Sequence, residues 1–267
     1  MPLRLAPSFR ERLEASDRAL IGMWACSGSP LVTEVAAGSG LDWLLIDMEH
    51  SANSLESVLL QLQVAAAYPI VPLVRVASND TVAIKQTLDL GAQNILVPMV
   101  SSAAEAREAV RAVRYPPEGV RGVGSALARS ARWNRVDDYL RDSARHTSLT
   151  VQIENAVGVE AAVEIAAVDG VDAVFVGPSD LAASLGHLGQ QDHPEVVAAV
   201  TRTFEAVRAA SKPVGVNAFD PVAADAYLDQ GAGFVAVGAD VALLARASEA
   251  LASRFIPTGG DASRASY

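Results

Sequence analysis

Eight short apolar runs rich in Val, Ile and Leu recur along the chain, separated by alanine-rich stretches with helical spacing, and no other feature constrains the fold as tightly. Strands are expected near Ile21 to Ala25, Trp43 to Met48, Val71 to Val76, Asn94 to Met99, Leu149 to Glu154, Ala173 to Gly177, Pro213 to Asn217 and Phe234 to Gly238. Helical patterns fill the intervals, among them Ser54 to Ala67, Thr81 to Leu90, Ala103 to Val113, Val157 to Ala167, Pro194 to Ala210, Pro221 to Gln230 and Val241 to Ala252. Strands apolar on both faces and alternating with helices specify a parallel sheet covered on both sides. Gly40, Gly91, Gly170 and Gly231 close helical patterns just before strands, as helix-ending glycines do. Eight such units predict a single-domain α/β chain, a closed (β/α)8 TIM barrel, and the 267 residues suit the roughly 250 that such a barrel uses. An open doubly wound sheet is the alternative, but no Gly-x-Gly-x-x-Gly turn follows the first strand to support it.

Residues up to about 18 read as an N-terminal extension and those from about 256 as a flexible tail. The one irregular stretch is the connection from Tyr115 to Thr147, with a helix expected near Val136 to Arg145. Connections of this length tend to be functional or to meet another subunit.

Composition removes several classes of function. A net charge of −10 argues against a surface that tracks nucleic-acid phosphates. No apolar run reaches the roughly 18 residues needed to span a bilayer, and the N-terminus lacks a signal-peptide core. The single cysteine, Cys26, cannot form an internal bridge, which fits a reducing cytoplasm. A soluble, unprocessed cytoplasmic protein is expected.

Barrels of this kind place their chemistry at the carboxyl ends of the strands. The polar residues there are few: Asp47, Glu49 and His50 after strand 2, Arg75 on strand 3, Gln152 and Glu154 on strand 5, Ser179 and Asp180 after strand 6, and Asn217 on strand 7. Glu154 and Asp180 lie one strand-plus-helix unit apart, so parallel neighbours would carry both carboxylates to one rim. Two hard oxygen ligands in a cleft suit a divalent cation such as Mg²⁺, which takes one or two carboxylates and leaves room for substrate and water. The alternative is that each carboxylate caps the helix that follows it.

Only Lys85 and Lys212 exist, one within a helix and one at the amino-terminal face. Neither is placed for an imine with a substrate carbonyl. Carbon–carbon chemistry beside a carbonyl would then rely on a metal as Lewis acid holding a 2-oxo acid. Arg75 would add positive charge at the oxygen where negative charge develops. His50 is the natural proton carrier, because imidazole titrates near neutrality. Ser179 and the backbone beside it would hold the substrate carboxylate at a helix start.

Taken together, the segments Leu45-Ile-Asp-Met-Glu-His50, Val74-Arg-Val76, Leu88-Asp-Leu-Gly-Ala92, Val97-Pro-Met-Val100, Arg121-Gly-Val-Gly-Ser-Ala126, Val151-Gln-Ile-Glu154, Gly177-Pro-Ser-Asp-Leu181 and Phe234-Val-Ala-Val-Gly238 resemble the HpcH/HpaI aldolases, metal-dependent class II pyruvate aldolases. The resemblance covers about residues 18 to 255. It implies cleavage of a 4-hydroxy-2-oxo acid, such as 4-hydroxy-2-oxoheptanedioate, into pyruvate and an aldehyde. That aldehyde would be succinic semialdehyde, or a sugar-acid fragment where strand 7, reading Val216-Asn-Ala-Phe-Asp220, departs from the family. The cofactor implied is Mg²⁺, Mn²⁺ or Co²⁺ on Glu154 and Asp180. His50 would transfer the proton, Arg75 would stabilise the transition state, and Gln152, Ser179, Asp180 and Arg75 would touch substrate.

The resemblance also implies that Asp89 pairs with His50. Asp89 falls near the end of a helix directed at the opposite face, so a bent loop or a neighbouring subunit would have to bring the two together; otherwise it is an ordinary helix-terminal aspartate. A hexamer built as a trimer of dimers is implied as well, with the apolar stripe of Val241, Leu243, Leu244 and Leu251 facing a neighbour or simply joining the core. Two rivals stay open: a citrate-lyase β or malyl-CoA type lyase, which needs a coenzyme A site, and a barrel that binds 2-oxo acids without turnover.

Overall fold

A computed structural model describes residues 3–256 and shows eight parallel strands closed into a barrel in chain order. The strands are β1 (Leu20–Ala25), β2 (Trp43–Asp47), β3 (Val71–Arg75), β4 (Asn94–Val97), β5 (Ser148–Ile153), β6 (Ala173–Val176), β7 (Val214–Asn217) and β8 (Phe234–Ala239). Around them lie α1 (Phe9–Ala15), α2 (Pro30–Ala37), α3 (Leu55–Ala65), α4 (Thr81–Asp89), α5 (Ala103–Val113), α6 (Tyr139–His146), α7 (Ala156–Glu160), α8 (Ala162–Ala166), α9 (Pro178–Ser184), α10 (Pro194–Ala209), α11 (Pro221–Asp229) and α12 (Asp240–Phe255). All eight expected strands form. Pairing of β1 with β8, Ile21 opposite Val235, closes the sheet and eliminates the open alternative. No helix among the described residues is long and apolar enough to cross a membrane.

Strand alternation divides the core in two. Ile46, Val74, Ile95, Val151, Val174 and Val235 point outward and pack with helix residues such as Val58, Ile84, Ala109 and Val200. Leu45, Leu73, Leu96, Phe175 and Phe234 point inward and fill the barrel. Inside, Trp43 and Phe234 crowd the axis, with centroids 5.8 Å apart. Gly22 and Gly215 answer that crowding, since a Cβ there would lie 2.3 Å from the Trp43 ring and 2.4 Å from the Phe234 ring.

The expected N-terminal extension does more than precede the barrel. Helix α1 opens with a capping box between Ser8 and Glu11 and inserts Phe9 under the barrel, 5.1 Å from the Phe234 ring and 5.7 Å from Trp43. Asn94 accepts the Phe9 N–H at 2.7 Å, so α1 serves as the barrel floor. The expected tail lies outside the described residues except at Ile256.

In the long connection, α6 starts at Tyr139 rather than near Val136. Arg132, Trp133, Asn134 and Asp138 all take left-handed backbone, which interrupts a right-handed helix. At the other end of the chain, α12 buries only Asp240 against its own barrel.

Candidate active site

The same alternation that sends Leu45 and Leu73 inward sends the next same-parity residues, Asp47 and Arg75, to the inner wall at the carboxyl rim, and on β5 Gln152, in register with the inward Phe175, and Glu154 two residues on reach the same wall. Asp47 lies in register with Arg75, and its carboxylate accepts the Arg75 Nε–H at 2.7 Å. The same carboxylate accepts the backbone N–H of Glu49 at 3.0 Å and of His50 at 3.2 Å. One buried side chain therefore aims the arginine and shapes the turn that carries His50. Arg75 is only 4% exposed; its guanidinium lies 4.2 Å from the centroid of the Trp24 ring, and Trp24 donates its indole N–H to Asn217 Oδ1 at 2.7 Å. A cation set over an aromatic face and bonded to a carboxylate is held in one orientation.

Glu49 bridges this arginine and the histidine, with Oε2 2.9 Å from Arg75 Nη1 and 3.8 Å from His50 Nε2. The arginine contact is an ion pair out of line for a hydrogen bond, which leaves Oε2 without a hydrogen-bond partner. Burial raises the Glu49 pKa against the opposing pull of Arg75. The His50 imidazole is open to solvent at the rim.

Glu154 is buried at the end of β5, two strands along the rim from Arg75. Its Oε1 accepts the Met99 N–H at 2.7 Å, from a backbone turned to a φ of +57°, and its Oε2 accepts from the Gln152 amide. Burial, chiefly, pushes its pKa up to about 7, helped by the charges of Glu49 and Asp180 and opposed by the Met99 bond. A Cβ at Gly177 would sit 2.7 Å from Glu154 Oε2 and 2.9 Å from Gln152 Nε2, so the glycine keeps this wall open.

Neither carboxylate owes its position to helix capping. Asn155, not Glu154, caps α7, accepting the Gly158 N–H at 2.8 Å. Helix α9 starts from Gly177 with no side-chain cap, and Asp180 stands exposed in its first turn beside Ser179. The charge of Asp180 raises the cost of ionising both Glu49 and Glu154, and that of Glu49 adds to the cost at Glu154, while Gln152 Oε1 is buried without a partner. A cluster of negative oxygens beside an unused carbonyl acceptor is the donor set a hard divalent cation requires, so these residues fit such an ion.

Asp89 lies elsewhere. As the last residue of α4 it leaves the mouth and pairs with the fully buried Arg121 at 3.4 Å, and within the chain the structure does not bring it to His50. The lysines are remote too: Lys212 donates to the Val171 carbonyl at 2.7 Å on the floor side, and Lys85 is within α4. A groove of about 740 Å³ between α1 and α11 also opens on the floor side, far from the acidic cluster.

Three supporting residues escaped the sequence reading. Trp24 looked like ordinary strand core, Met99 shows its role only through its φ, and Asp240 joins β8 to β1 by accepting the N–H groups of Cys26 at 2.8 Å and Ser27 at 3.1 Å. For Asp240, a carboxylate directly after a barrel strand was the available signal.

Comparison with known proteins points to one family. The family model described as HpcH/HpaI aldolase/citrate lyase matches residues 20–247. A 4-hydroxy-2-oxo-heptane-1,7-dioate aldolase of Shigella sonnei is 52% identical over 248 residues, covering 93% of this chain and 94% of the relative. A hydroxypyruvate/pyruvate aldolase of Pseudomonas aeruginosa is 51% identical over 247 residues, 92% of each chain. Among solved structures, an HpcH/HpaI aldolase/citrate lyase family protein from Burkholderia cenocepacia J2315 superposes with a TM-score of 0.89 at 40% identity, covering 93% of this chain and 99% of the other.

Proposed function

Because the chain belongs to the HpcH/HpaI aldolase/citrate lyase family, we propose that it is an aldolase that reversibly cleaves a 4-hydroxy-2-oxo acid to pyruvate and an aldehyde, using a divalent cation. The observation that carries this reading is the gathering of opposite charges at one rim: Arg75 held by Asp47 at 2.7 Å and Glu49 at 2.9 Å, two strands from a buried Glu154 whose charge is felt together with those of Glu49 and Asp180. Glu154 and Asp180 would hold the cation, with Mg²⁺, Mn²⁺ and Co²⁺ as the candidates. Bound there, such an ion supplies Lewis-acid polarisation of a 2-oxo carbonyl.

The chain's own groups account for the remaining steps. His50 Nε2 takes the proton of the substrate 4-hydroxyl as the bond between C3 and C4 breaks. C4 becomes the aldehyde carbon, and the electron pair passes into the enolate of pyruvate. Arg75, unable to deprotonate, faces that developing charge, and its carboxylate and indole neighbours prevent it from turning away as charge moves. Glu49, 3.8 Å from His50 Nε2, steadies the imidazolium until the proton returns to carbon. Ser179 and the Gln152 carbonyl are assigned to substrate contact.

Arg75 is already engaged by Asp47 and Glu49, which leaves no arginine cluster at the described mouth for a coenzyme A phosphate and disfavours the thioester-lyase rival. Exposed Leu243, Leu244, Leu251 and Phe255 on α12 support assembly with further copies, as a hexamer, and the lone cysteine supports a cytoplasmic setting. The test is product analysis with 4-hydroxy-2-oxoheptanedioate: pyruvate and succinic semialdehyde in equal amounts are expected. Binding of the substrate with no release of pyruvate would reject the reading in favour of a non-catalytic barrel.

A further inference from the structure

Outside the mouth, three donor side chains converge where the loop after α9 enters α10. The ligand atoms of His187, His193 and Glu195 lie within 4.8 Å of one another. His187 Nε2 is 2.7 Å from Glu195 Oε2, and the two imidazoles stack with centroids 3.5 Å apart and 17° between their planes. The backbone builds this cluster. Gly186 and Gly189 take φ values of +83° and +78°, and the loop doubles back so that His187 N donates to Ala182 O at 2.7 Å and Gln190 N to His187 O at 2.9 Å. His193 then caps α10 through a long 3.3 Å contact from the Glu195 N–H, which sets Glu195 two residues further on with its carboxylate against the His187 ring.

We propose that His187, His193 and Glu195 form a second metal site, one for Zn²⁺ or a similar nitrogen-seeking divalent ion, separate from the oxygen-lined mouth. Imidazole nitrogens favour zinc, nickel and copper, whereas Mg²⁺ seeks oxygen alone. Donors around one zinc at about 2.0–2.1 Å stand roughly 3.4 Å apart in tetrahedral geometry, so from a spread of up to 4.8 Å the farthest pair closes by up to about 1.4 Å, and one ring rotates out of the 17° stack so that both imidazoles aim an in-plane nitrogen at the ion. An ion pair uses only half of what is present, because His187 alone meets the carboxylate while the second ring stacks behind it. A metal engages all three and leaves one position for water. It would also clamp the loop between α9, which carries Asp180, and α10.

The test is zinc titration by calorimetry on the Glu154→Gln/Asp180→Asn variant, in which the mouth carboxylates are neutral. One Zn²⁺ per chain is expected, at micromolar Kd or tighter, with no heat from Mg²⁺. Adding His187→Gln and His193→Asn, the asparagine preserving the helix cap, is expected to weaken zinc at least 100-fold. No zinc binding in the first variant, or unchanged affinity in the second, overturns the proposal. Should the mouth variant not fold, crystals of the wild-type chain grown with Mg²⁺ and soaked in Zn²⁺ decide the matter at the zinc absorption edge. An anomalous peak among the three side chains supports the site, and zinc only at the mouth overturns it.

Discussion

At the scale of single residues, the site depends on how neighbours restrict Arg75 and Cys26. Replacing Arg75 with Ala removes the charge opposite the enolate, and kcat is expected to fall about 10²–10³-fold, the loss typical of one preorganised donor, with a smaller change in KM. Because Ala also leaves Asp47 as a buried unpaired carboxylate, Arg75→Lys is the companion variant. It keeps the charge without the fork to Asp47 and Glu49, and an unchanged kcat in both would remove Arg75 from the chemistry. Cys26 is held silent by its surroundings: burial first, then the charges of Asp47 and Asp240, push its thiol up to about 12. An acid shifted upward stays protonated, so at pH 8 the folded chain is expected to react with a thiol-specific disulfide roughly a thousandfold more slowly than an ordinary thiol. Denaturation should restore the ordinary rate; equal rates in both states would contradict the assignment.

At the scale of elements, strand parity is what sequence reveals best. Once eight Val- and Ile-rich runs are placed, Leu45 and Leu73 predict that the next same-parity polar residues, Asp47 and Arg75, reach the mouth, and register with the inward Phe175 places Gln152, and Glu154 two residues on, at the same wall. What sequence conceals is contact across the barrel. Nothing in Phe9 or Leu13 marks α1 as a floor, because the rings of Trp43 and Phe234 that receive Phe9 come from strands far along the chain. The left-handed residues from Arg132 to Asp138 carry no glycine signal, so the start of α6 was misplaced by three residues, and the Asp89 side chain is determined by Arg121 in that same connection. Gly22 tests the packing inside the barrel. In Gly22→Ala the new methyl meets the Trp43 ring at 2.3 Å, and overpacking of this kind costs about 1–3 kcal/mol. A Tm lower by about 2–4 °C for each kcal/mol lost is expected for a chain of this size; an unchanged Tm would mean that Trp43 moves freely.

At the scale of the whole molecule, two surfaces carry the proposed assembly and the proposed cation. Helix α12 runs 16 residues with only Asp240 buried, and Leu244 is 65% exposed, an apolar face larger than single exposed leucines explain. For the proposed assembly of six 27.8 kDa chains, Leu244→Glu is expected to shift light scattering to smaller species; a variant that scatters like the wild type would place the interface elsewhere. The second surface is the mouth itself, where Glu49, Glu154 and Asp180 share one negative region that Arg75 balances only in part.

The cation requirement is therefore the central claim, and pyruvate release from 4-hydroxy-2-oxoheptanedioate tests it most directly. Chain stripped with excess EDTA is expected to release no pyruvate above the uncatalysed rate, and adding Mg²⁺ or Mn²⁺ in excess of the chelator is expected to restore turnover. The same rate in the presence of excess EDTA would contradict the account.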